Sequence, residues 1–235
     1  MKETAKKPSK KSLAKKTKSE LIELISGTPL PTNQFRISIF GSARLQPTDK
    51  AYKDVYSLAE EIGKKGFDVI TGGGPGIMEA ANAGHGKGDK KNVAKSIGIT
   101  VKLPFEENFN DYLEYRKHFT RFSNRLDEFM ILSNVAIIAT GGIGTCLELF
   151  YTWQLTQVKH ICPIPIILYG EMWLDLIEWI KKHLLKNKLI SPGDLDNIFV
   201  ACNKEEAMKI IMNTHEIFKQ EGGDYCINYR KYKLD

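Results

Sequence analysis

The sequence predicts an α/β fold: a doubly wound parallel sheet in a single domain. Three observations predict it. Short apolar runs such as Val135-Ala-Ile-Ile-Ala139 have the composition of strands buried on both faces. Longer stretches between them carry apolar residues at helical spacing, as at Tyr52, Val55, Leu58, Ala59 and Ile62. Two of the strands end in glycine-rich turns that open helices, Gly72-Gly-Gly-Pro-Gly76 and Gly141-Gly-Ile-Gly144. Strands alternating with helices at this spacing place ligands outside the carboxyl ends of the strands, where both glycine turns fall.

Ser19 to Ile25 reads as a short amphipathic helix and Gly27 to Thr32 as a Pro-containing linker. Residues 1–34 are thus a basic, disordered leader and linker, 35–220 the folded domain, and 221–235 a C-terminal tail. Arg36-Ile-Ser-Ile-Phe-Gly41 is the first strand, ending in the small-residue turn Gly41-Ser-Ala-Arg44. A helix from about Asp49 to Lys65 follows and stops at Gly66. Phe67-Asp-Val-Ile-Thr71 is the second strand, and its glycine turn leads into a helix through Met78, Ala80 and Ala83. After a Gly- and Lys-rich loop from Gly84 to Asn92, Ser96 to Val101 is a third strand. Pro104 to Asp111 is irregular, Tyr112 to Phe119 is extended, and Phe122 to Leu132 is helical and leads into Val135–Ala139. The helix after the second glycine turn runs to about Val158. Pro165–Leu168 is the next strand, a helix holds Trp173, Leu176, Ile177 and Ile180, and Ile198–Ala201 with the helix Glu205–Phe218 closes the domain.

The chain has 235 residues, 42% hydrophobic and 26% charged, enough for one sizeable α/β core. No apolar run approaches the roughly 18 residues of a membrane span, so no membrane partner is expected. Four scattered cysteines form no CxxC pair, which argues against a zinc site or disulfide framework and for a cytoplasmic protein. The net charge of +6 is carried by residues 1–20, with eight lysines against Glu3 and Glu20. The body is therefore neutral and offers no basic face for nucleic acid.

A strand that ends in glycines and turns into a helix leaves N–H groups unpaired at the positive end of the helix dipole. Such a turn takes an anion, most often a phosphate. Glu148 falls one turn inside the helix and is within reach of whatever the phosphate carries. The dinucleotide fingerprint of Rossmann enzymes fits badly: the first strand ends in Gly41-Ser-Ala, and the second in Thr71 without an acidic residue. The Walker A lysine is also missing, so a mononucleotide with one phosphate suits the two turns better than a triphosphate. No cofactor and no metal are called for.

Thr71-Gly-Gly-Gly-Pro-Gly-Ile-Met-Glu79, Leu103-Pro-Phe-Glu106 with Asn110, Arg125, and Gly141-Gly-Ile-Gly-Thr145-x-x-Glu148 together resemble the LOG family. The likeness runs from about Phe35 to Ile180, and Arg125 keeps the family's spacing of sixteen residues before Gly141. Members include cytokinin-activating phosphoribohydrolases and bacterial nucleoside 5′-monophosphate nucleosidases, once mislabelled as lysine decarboxylases. The resemblance implies a Rossmann-like fold, a homodimer or higher homo-oligomer, and an AMP-like nucleoside 5′-monophosphate as substrate. It implies hydrolysis of the N-glycosidic bond to free base and ribose 5-phosphate, with Arg125 and Glu148 catalytic. Gly41, Ser42, Gly73, Gly74, Glu79, Asn110, Gly141, Gly142, Gly144 and Thr145 would bind the nucleotide and its phosphate. Two positions depart from the family pattern: Thr140 replaces its proline and Leu126 the lysine after the arginine. The alternative is a non-catalytic nucleotide or molybdenum-cofactor carrier of the same fold. A pyridoxal phosphate decarboxylase is disfavoured, because no lysine stands beside either glycine turn.

Overall fold

The computed structural model of the protein describes residues 34–101 and 109–220. The expected helix at residues 19–25, the linker after it and the C-terminal tail lie outside the described residues. Among the described residues, seven strands form one parallel sheet. They are β1 (Arg36–Phe40), β2 (Asp68–Thr71), β3 (Ser96–Val101), β4 (Tyr115–Phe119), β5 (Val135–Ile138), β6 (Ile166–Tyr169) and β7 (Ile198–Ala201). Six α-helices are found among the described residues, the last of them following β7: α1 (Lys50–Lys64), α2 (Ile77–Gly88), α3 (Phe122–Leu132), α4 (Ile143–Gln157), α5 (Met172–Ile180) and α6 (Lys204–Gln220). A π-helical turn at Lys181–Leu185 extends α5, and a 3-10 turn at Pro192–Leu195 precedes β7.

The strands lie in the order β4-β3-β2-β1-β5-β6-β7. β1 pairs with β2 on one side and β5 on the other, so the winding reverses between β1 and β5. A crevice forms at such a reversal, outside the strands' carboxyl ends.

Side chains leave each strand alternately to the two faces. Ile37, Ile39, Val69, Val135 and Ile137 pack with α1, α2 and α6 in one core cluster. Phe40, Ile70, Ile97, Ala136 and Ile138 pack with α3, α4 and α5 in the other. At the sheet's amino end the buried Arg36 and Asp68 approach at 3.3 Å, and Asp68 accepts the Lys95 N–H at 2.8 Å. Burial pushes the Asp68 carboxyl above the usual carboxylate range.

α1 and α2 meet at van der Waals distance because glycines stand at their crossing. A Cβ on Gly84 would lie 2.2 Å from the Tyr56 carbonyl oxygen, and one on Gly88 2.0 Å from that of Glu60. Backbone blocks both sites, so the helices would have to separate. Gly84→Ala is therefore expected to destabilise the protein by roughly 2 kcal/mol, despite alanine's better helix propensity. A thermal melt should fall by roughly 4–8 °C, and an unchanged or raised midpoint would contradict the tight crossing.

Candidate active site

The turn after β1 and the turn after β5 meet at the winding reversal. The Ser42 N–H donates to the Thr140 carbonyl at 3.0 Å, and the Ile77 N–H at the start of α2 donates to the Ser42 carbonyl at 2.9 Å. Gly41 packs beneath Ile77, where a Cβ would come within 2.4 Å of Cγ2. Three chain segments are thus fastened together around a cleft of about 490 Å³.

The floor on the β5 side is the amino end of α4. Gly142 stands at the cap position, and no side chain caps the first-turn N–H groups. Gly142 and Gly144 face open space, whereas Gly141 has no room for a side chain: its Cβ would lie 2.1 Å from Thr145 Oγ1. The buried Thr145 folds back under the turn at that point. Exposed N–H groups on the positive end of a fifteen-residue helix form a cradle for an anion.

Arg125 reaches the same cleft from α3. Its Nε donates to the Ile99 carbonyl within β3, 2.8 Å away. The guanidinium carbon lies 5.6 Å from the Phe122 ring centre and 5.3 Å from that of Phe129. Gly72 supplies the remaining space, since a Cβ there would stand 2.3 Å from Arg125 Nη2. Nη1 of Arg125 lies 3.6 Å from Glu148 Oε1, with the two side chains only 9% and 11% exposed. Burial raises the Glu148 carboxyl from 4.5 to about 7, and the nearby guanidinium offsets part of that rise. A carboxyl poised at neutral pH in a cleft, beside an immobilised cation, suits proton transfer or stabilisation of a developing positive charge.

Of the residues expected at the site, Gly41, Ser42, Arg125, Gly142, Gly144, Thr145 and Glu148 line this cleft. Gly141 adjoins them in the turn. Gly73, Gly74, Glu79 and Asn110 are not among the lining residues. The Gly73 N–H donates to Thr71 Oγ1 at 3.0 Å, and Asn110 Nδ2 donates to the Gly74 carbonyl at 2.9 Å and to Asn82 Oδ1 at 3.0 Å. Those polar groups hold the second glycine turn in shape, and the turn presents Gly72 to the cleft in place of Gly73 and Gly74. Glu79 sits half-buried in the first turn of α2, where its charge adds to the rise that burial gives the Tyr52 hydroxyl. Met78, Phe122 and Ile143 also line the cleft and were not anticipated. Their apolar side chains give no polar signal to read, and only their places beside the two glycine turns and Arg125 could have suggested them.

Among the described residues no group of three or more His, Cys, Asp or Glu side chains is placed to hold a metal ion. The buried Trp153 and the exposed Gln157 donate to the carbonyl and carboxylate of Asp194 at 2.7 and 3.0 Å.

A family model described as "Possible lysine decarboxylase" matches residues 78–211, from α2 into α6, including Arg125 and Glu148. The chain belongs to that family, the LOG family. No curated protein matches the sequence significantly. Among solved structures, the molybdenum cofactor carrier protein MCP from Chlamydomonas reinhardtii is similar with a TM-score of 0.59 and 17% identity, over 78% of this chain and 99% of that one. The molybdenum cofactor binding protein from Rippkaea orientalis gives 0.56 and 22%, over 77% and 96%. TM1055, a structural-genomics target, gives 0.59 and 23%, over 77% and 99%. At these identities the likeness establishes that this LOG-family chain shares their Rossmann-like fold.

Proposed function

We propose that the protein hydrolyses the N-glycosidic bond of a nucleoside 5′-monophosphate, giving free base and ribose 5-phosphate. The observation that carries this reading is the buried Arg125–Glu148 pair in one cleft with the uncapped amino end of α4. The phosphate sits on the α4 cradle and the ribose extends toward Glu148. As the bond from the anomeric carbon to the base breaks, its electron pair leaves with the base and the sugar becomes oxocarbenium-like. Ionised Glu148 balances that charge and takes a proton from the water that adds to the anomeric carbon; that proton passes on through solvent to the departing base nitrogen, so the base leaves neutral and the carboxylate is restored. Arg125 fixes the carboxylate in place and keeps its pKa from rising further. Purified protein incubated with a panel of 5′-monophosphates should release free base from at least one of them; release from none argues against the reading.

The family's description suggests decarboxylation, which we do not adopt. A pyridoxal phosphate enzyme needs a lysine for its Schiff base, and the cations among the described lining residues are Arg44 and Arg125. A non-catalytic carrier is the second reading. It is favoured by the names of the solved neighbours and by Leu126, which is buried in the core where the family pattern has a lysine. Mass spectrometry of ligand released from the native protein separates the two, a bound pterin supporting the carrier.

The protein works as a homodimer on this reading, with α4 as its contact. Ile143, Leu147, Phe150 and Val158 form an exposed apolar stripe along α4 and its end, beginning at the cleft. Leu147→Glu combined with Phe150→Glu is expected to convert a dimer to a monomer in light scattering. A wild-type protein that is already monomeric would contradict the pairing. No described helix is long and apolar enough to cross a membrane.

A further inference from the structure

We infer that Arg44 is the residue that reads the ligand's phosphate, and that it makes the cleft selective for a 5′-monophosphate over the corresponding nucleoside. The inference rests on the nucleotide reading above and assigns that site a specificity residue. The charged side chains among the described lining residues are Arg44, Arg125 and Glu148. Arg125 is committed: its Nε is bonded to a backbone carbonyl and its guanidinium faces Glu148. Arg44 is exposed, and no carboxylate among the described residues pairs with it. It is the cation with donors to spare, and a guanidinium's planar fork matches two phosphate oxygens at once.

The backbone beneath Arg44 is fixed although the side chain is in solvent. Its N–H donates to Ser42 Oγ at 3.1 Å, and its carbonyl accepts from Gln46 Nε2 at 3.3 Å. Gln46 is held in turn by Asp49, whose carboxylate accepts the Gln46 N–H at 2.7 Å. On the other side Ser42 is fastened to Thr140 and Ile77, and Ala43 lies against Gly76, where a Cβ would come within 2.7 Å of its carbonyl carbon. A loop braced in this way anchors the backbone of the arginine at a set place on the rim, so that only its side chain is left for the ligand to order.

Electrostatics decide which end of the ligand Arg44 meets. A phosphate dianion is repelled by ionised Glu148 and attracted to the amino end of α4. Gly142 and Glu148 are six residues apart on the helix, a rise of about 9 Å, which separates a phosphate end from a sugar end of the same cleft. Arg44 and Gly142 come from the two turns that the Ser42–Thr140 hydrogen bond joins. The missing lysine at position 126 fits this arrangement: the cation of the phosphate end comes from the β1 turn instead of α3.

The test is equilibrium binding of AMP and of adenosine, by titration calorimetry, in a Glu148→Gln background that prevents turnover. Adding Arg44→Ala should weaken AMP binding ten- to a hundredfold while leaving adenosine within about twofold, as expected for loss of one charged hydrogen-bonding pair. Arg44→Lys should recover part of the AMP affinity and none of the loop geometry is at stake in either change. The inference is overturned if AMP affinity is unchanged, if AMP and adenosine weaken together, or if the parent does not prefer AMP over adenosine. Failure of the hydrolytic reading shows separately, as absence of base release by protein with Glu148 intact.

Discussion

Glu148→Gln is expected to lower kcat/KM for base release by about a thousandfold or more, because it removes the charge that offsets the cationic sugar and the group that accepts water's proton. The amide keeps the carboxyl's shape, so the fold should survive. It should even gain stability. At low pH the Glu148 carboxyl is protonated in the folded and the unfolded chain alike and contributes nothing. Between pH 4.5 and about 7 the folded chain keeps a proton that the unfolded chain has released, so this group makes stability fall as pH rises. Above about 7 both are ionised, and the full cost of roughly 3 kcal/mol is present. Glu148→Gln should therefore melt higher than wild type at pH 8, with the difference vanishing near pH 4. In wild type, kcat/KM should rise with pH through about 7 and level off above it, since the ionised carboxylate is the working form. A flat profile across that range would remove Glu148 from the chemistry.

Arg125→Met should lower kcat/KM by about a hundredfold and shift the rising limb of the pH profile upward. The guanidinium is the group that opposes the burial-driven rise of the Glu148 pKa, so its loss lets that pKa climb. This variant should also be less stable, because the Ile99 carbonyl loses its donor and Glu148 loses its counter-charge. Arg125→Lys keeps the charge but not the fork, and should restore the pH profile more than the rate. A limb that stays in place in Arg125→Met would mean that the 3.6 Å pair does not tune the carboxyl.

The central strands were legible because a strand covered on both faces must be apolar throughout, and β5 and β6 are. β4 was legible only as an extended stretch from Tyr112. It lies at the sheet edge and carries Arg116, Lys117 and His118, so its pattern has no buried run to mark the start at Tyr115. The π-turn after α5 and the 3-10 turn before β7 left no mark in hydrophobic periodicity. Within the site, Arg125 and Glu148 were readable from motif spacing, and their meeting at one cleft follows from the winding reversal between β1 and β5. Which glycine of Gly72-Gly-Gly74 faces the cleft was not readable. That choice depends on the positive φ of Gly73, on the local bond to Thr71, and on Asn110 bonding the turn from a segment far along the chain. Leu126 read only as a missing cation, whereas the structure turns it into the core and leaves Arg44 as the cation on the rim.

The most direct measurement follows both products at once: free base and ribose 5-phosphate formed from a nucleoside 5′-monophosphate by wild type and by Glu148→Gln. Base and ribose 5-phosphate appearing in equal amounts with wild type, and neither with the variant, is the predicted result. Absence of both with wild type, or equal rates from the two proteins, would contradict the account.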